Sequence, residues 1–146
     1  VFLLITPKNK KLPTMATKHL YLKDLHFDYQ LWKNELNFYR EEIKIFEDRL
    51  GEVVNRNTDK EVLAQAEHFQ NQYIRQREVA EELLHEVNVR QDRLVAFVRE
   101  NETAIDRQHF DDQAEEHQAL AQQVATYHKI YQDLKGEFMN YLRQWM

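Results

Sequence analysis

The chain has 146 residues, of which 31% are charged and 42% hydrophobic, and its formal net charge is −5. That length fits one domain with its own buried core, and that balance excludes a disordered polymer and a basic nucleic-acid binder. Glycine and proline occur twice each and cysteine not at all, too few turn residues for a sandwich, barrel or α/β fold and no thiol for a disulfide, a thiolate metal site or a nucleophile.

No run approaches the roughly 18 apolar residues of a membrane span. Neither a membrane nor nucleic acid is therefore an expected partner. The cysteine-free composition is compatible with the cytoplasm, the expected location.

The opening stretch VFLLITPKNKKLPTMATKHL has five apolar residues and then turns basic and proline-broken. A secretory signal puts its charge before a longer apolar region, so the order here is reversed. Residues 1–16 read as a poorly ordered extension, with Met15 a candidate natural start. The alternative is that Val1 to Ile5 folds back onto an apolar groove.

Pro13 and Thr14 open the folded part, and Thr17 is a candidate N-cap. Over about 17–54, apolar residues then recur at alternating steps of three and four: Leu22, Leu25, Tyr29, Trp32, Leu36, Tyr39, Ile43, Phe46, Leu50 and Val53. That is an unbroken heptad seam. NRNTDKE interrupts it, and Thr58 with Glu61 has capping-box spacing for a second helix over about 59–100. Its seam is Ala66, Phe69, Tyr73, Gln76, Ala80, Leu83, Val87, Arg90, Leu94 and Phe97.

ENET ends that segment, and Thr103 with Asp106 marks a third N-cap. The third seam, over about 104–145, is Phe110, Gln113, His117, Leu120, Val124, Tyr127, Tyr131, Leu134, Phe138, Tyr141 and Trp145. Gly136 sits off this seam and need not end the helix.

Three helices of roughly 40 residues, each about 60 Å long, joined by short connections, must run antiparallel to their neighbours. The expected fold is all-α, an elongated up-down-up three-helix bundle with coiled-coil-like packing over 17–146. Folding the seams at their turns sets Phe46 with Ala66 and Phe138, Ile43 with Phe69 and Leu134, and Tyr39 with Tyr73 and Tyr131. It also places Leu25 beside Val87 and His117, and offers a buried Gln76 the hydroxyl of Tyr127 or of the tyrosine layer. With Trp32 in its first helix, this architecture resembles a single spectrin-type three-helix repeat, although its helices are longer than that module needs. The resemblance implies a fold and no functional residues.

The first helix carries more than a seam. Asp28, Glu35 and Glu42 flank it on one side, Lys33 and Arg40 on the other. Beyond these charged rails lie Phe27, Leu31, Phe38 and Ile45, spaced four, seven and seven, a row covering about 27 Å of helix. A three-helix core cannot reach that face. A contiguous apolar row marks a contact surface where single exposed apolar residues do not. The expected cover is a second copy of the chain or another helical protein. Cover by the N-terminal segment and plain exposure are the alternatives.

Chemistry is sparse. ELLH (Glu82 to His85) has the Glu-x-x-His spacing of di-iron bundles but occurs once and off the seam; DRQH (Asp106 to His109) echoes it weakly. HKIYQD (His128 to Asp133) reads as a solvated face. His26, Glu86 and His117 fall at one level of the layer scheme, which makes them a weak candidate metal site or a pH-responsive layer. A hydrogen-bonded core histidine is the simpler account. The chain contains no serine, no glycine loop for phosphate and no zinc-protease motif. The sequence therefore points to a non-enzymatic spacer, adaptor or assembly subunit without a cofactor, self-associating through the outer face of its first helix. A small metal- or ligand-binding bundle is the alternative.

Overall fold

The structure, a computed structural model, describes residues 15–100 and 107–146, without the side chains of 15, 16 and 20. Three helices account for nearly all of them: α1 (Met15–Arg56), α2 (Lys60–Glu100) and α3 (Arg107–Trp145). They pack against one another as an all-α three-helix bundle. Thr17 lies inside α1 rather than at its cap. Residues 1–14, Thr103 and Asp106 lie outside the described residues.

The short connection from α1 to α2 shows how both ends are satisfied. The Asn57 amide donates to the Val53 carbonyl at 2.8 Å and closes the last turn of α1. Asp59, not Thr58, caps α2: its carboxylate accepts the backbone N–H of Glu61 at 2.8 Å and of Val62 at 3.4 Å. An ionised carboxylate is both the stronger acceptor and the better complement to a helix N-terminus.

The chain divides into two compact units, each built from a stretch of all three helices. The first takes the chain up to Asn34 together with Leu83–Ala125. Leu22, Leu25, Tyr29, Trp32, Val87, Leu94, His117, Leu120 and Val124 fill its core. The seam position Arg90 is half-buried and reaches Glu116 at 3.2 Å. Its neighbour Gln91 is buried instead and accepts the Lys33 ammonium at 2.9 Å.

The second unit takes Glu35–Glu82 with Thr126–Met146. Leu36, Tyr39, Ile43, Phe46, Leu50 and Val53 of α1 are all buried here. Phe46 and Phe138 share a layer, with ring centroids 5.3 Å apart, as do Tyr39 and Tyr131 at 4.3 Å. The rings of α2 make contacts beyond those of the expected scheme. Phe69 lies against Phe138 and Tyr141, and Tyr73 against Phe46 and Phe138. Side chains tilt toward the N-terminus of their own helix, so a long ring on α2 meets residues further along its antiparallel neighbour. Tyr127 donates to the Gln76 backbone carbonyl at 3.0 Å and not to its side chain, whose Oε1 is buried with no hydrogen-bond partner among the described residues. Tyr141 likewise donates to the Val62 backbone carbonyl at 2.7 Å.

Candidate functional site

The outer face of α1 is defined by what its flanks do. In the first unit, Asp28 turns to α3 and meets His117, while Lys33 turns to α2 and meets Gln91. In the second unit, Glu35 and Glu42 turn to α3. The Glu35 Oε1 accepts from Tyr39 and from His128, both at 2.7 Å. Glu42 accepts the Tyr131 hydroxyl at 2.6 Å and the Lys135 ammonium at 3.1 Å. On the other flank Arg40 reaches Glu81 of α2 at 3.5 Å, and Glu47 pairs with Arg77. The two rails are therefore used up by the two neighbouring helices.

The row beyond the rails faces neither neighbour. Phe27 and Leu31 of the first unit are 58% and 41% exposed; Phe38 and Ile45 of the second are 55% and 60% exposed. Ile45, Phe27 and Phe38 are the most exposed large apolar side chains of the described residues.

The buried histidine is the second feature with chemical content. His117 is 1% exposed. Its ring stacks on Trp32, with centroids 4.9 Å apart, and meets the edge of Tyr29 at 5.4 Å. Its Nε2 lies 3.0 Å from the Asp28 Oδ2. Burial lowers the imidazole below its ordinary value, against the opposing pull of the Asp28 charge. Burial likewise raises the Asp28 carboxyl, with His117 opposing. A neutral ring with Nε2 donating to the carboxylate satisfies both directions, and it leaves Nδ1 as a bare acceptor with no partner among the described residues.

The structure does not gather His26, Glu86 and His117 into one ligand set. Glu86 lies 3.8 Å from Arg90, and the carboxylate on His117 is that of Asp28. Among the described residues no group of three or more His, Asp or Glu side chains is placed to hold a metal ion. Glu82 and His85 are both exposed. His128, read from sequence as solvated, instead joins Glu35 and Tyr39 in a partly buried network with Gln132. The signal for these contacts was the seven-residue spacing of Asp28, Glu35 and Glu42 beside the seam, which puts all three against the same neighbour.

No protein-family model, curated protein or solved structure matches this chain. The likeness to a spectrin-type repeat therefore rests on architecture alone.

Proposed function

We propose that this bundle is a non-enzymatic assembly module that works by protein–protein contact and self-associates through the outer face of α1. The observation that carries the reading is the exposure of Phe27, Leu31, Phe38 and Ile45 on a helix whose two flanks are already engaged. Removing such side chains from water is favourable in proportion to the area covered.

Magnitudes set the expected strength. About half of each side chain is left to bury, contributing roughly 1 kcal/mol apiece, and an isologous contact counts the row twice. That gain is of the same order as the cost of association, about 4–15 kcal/mol. The row by itself thus supports weak, concentration-dependent pairing.

The test is a variant carrying Phe27→Glu, Phe38→Glu and Ile45→Glu, compared with the unaltered chain by light scattering at high concentration. All three positions are exposed, so helicity by circular dichroism should persist while the apparent mass falls to that of one chain. An equal mass for both proteins would rule out this face as the contact.

A further inference from the structure

Where the start of α1 lies beside the end of α2, the first unit opens a groove of about 390 Å³. That is within the range of small-ligand sites, roughly 300–1,000 Å³. Leu22, Leu94, Val95 and Val98 form its apolar part. Val95 is 40% exposed there, a large aliphatic side chain left uncovered inside a concave surface. The rest of the lining is Lys23 and Arg99 with two histidines, His19 and His26.

The charge pattern is what singles the groove out. The chain has 25 Asp and Glu against 20 Lys and Arg, yet among the described residues no carboxylate lines this surface. Elsewhere in the same unit Arg90 and Arg93 both reach Glu116, Lys33 donates to Gln91 and Lys18 lies over the Phe110 ring. Lys23 and Arg99 have no carboxylate partner among the described residues. An apolar floor beside two cations that have no carboxylate partner among the described residues is complementary to a molecule with a hydrocarbon body and one negative end. An α-helix with its side chains is about 10–12 Å across, too broad for a recess of this volume, whereas an alkyl chain is slender enough.

We propose that the groove binds a free single-chain anionic amphiphile, an alkyl carboxylate. Its chain lies along Leu22, Leu94, Val95 and Val98, and its head group sits between Lys23 and Arg99. This site is separate from the outer row of α1 and stands whether or not the chain self-associates.

The probe is decanoate below its micellar concentration, titrated calorimetrically into the full chain, with methyl resonances of Val95 and Val98 followed by NMR. Saturable one-to-one binding is expected, with shifts confined to the groove. Octanoate, two methylenes shorter, should bind about tenfold more weakly, as each buried methylene contributes about threefold to fourfold. A Lys23→Glu/Arg99→Glu variant, changed only at exposed positions, should keep its helicity and thermal midpoint but lose at least tenfold in decanoate affinity. Decyltrimethylammonium should not compete. Absence of saturable binding would overturn the proposal, as would equal binding of the cationic amphiphile or undiminished affinity in the double variant. Shifts centred on Phe27 to Ile45 would overturn it too. Binding of an acidic amphipathic peptide where decanoate fails would do the same and assign the groove to a polypeptide.

Discussion

His117 and Asp28 meet across 3.0 Å within the first unit, and only His117 belongs to a heptad seam. The carboxylate comes from the flank of α1 and supplies the hydrogen bond that a ring stacked on Trp32 would otherwise lack. A buried polar group needs such a partner, and the pairing makes stability depend on pH.

The sign follows from the two shifts. Burial holds the folded-state imidazole below its ordinary 6.5, so the unfolded chain takes up a proton at His117 first. Stability contributed by His117 is therefore present above that value and lost as pH falls through it. Asp28 is shifted up from 3.8, so nearer the carboxylate range the folded chain takes up its proton first and regains stability. Urea denaturation should show a lower midpoint at about pH 5.5 than at about pH 7.5. In a His117→Phe variant that difference should shrink. An undiminished difference would mean that other groups carry it.

Two buried tyrosines should respond oppositely to loss of the hydroxyl. Tyr131 donates to Glu42 at 2.6 Å, whereas the Tyr73 hydroxyl is buried with no hydrogen-bond partner among the described residues. Tyr131→Phe should cost about 1 kcal/mol. Tyr73→Phe, which removes an unsatisfied group, should be neutral or stabilising by up to about 1 kcal/mol. Chemical denaturation of the two variants side by side checks this, and equal losses would contradict it.

The two glycines offer a gain. Gly51 and Gly136 lie inside helices at exposed positions, neither has a positive φ, and a Cβ added to either meets nothing within 4 Å. Gly51→Ala and Gly136→Ala should each stabilise by up to about 1 kcal/mol, through lower unfolded-state entropy and higher helix propensity. A thermal midpoint that falls in either variant would show that its helix is interrupted there.

The seams were legible because heptad spacing alone decides which face of a helix is covered. All ten seam positions of α1 from Leu22 to Val53 are buried, and the row from Phe27 to Ile45 is exposed as the pattern required. Axial detail was not legible. Spacing along one helix says nothing about how far a ring leans, and so does not reveal that the Tyr73 ring packs against Phe46 and Phe138. The same ambiguity gave His117 the carboxylate of Glu86 instead of Asp28. Spacing leaves His128 on a solvated face because its partners, Glu35 and Tyr39, sit on another helix, 93 and 89 residues away in sequence.

Sedimentation equilibrium of the unaltered chain, from the low micromolar range to near millimolar, tests the assembly reading most directly. Pairing through the outer face of α1 predicts a weight-average mass that climbs with concentration toward that of two chains, in the weak regime expected of so short an apolar row. The mass of a single chain at every concentration would contradict it.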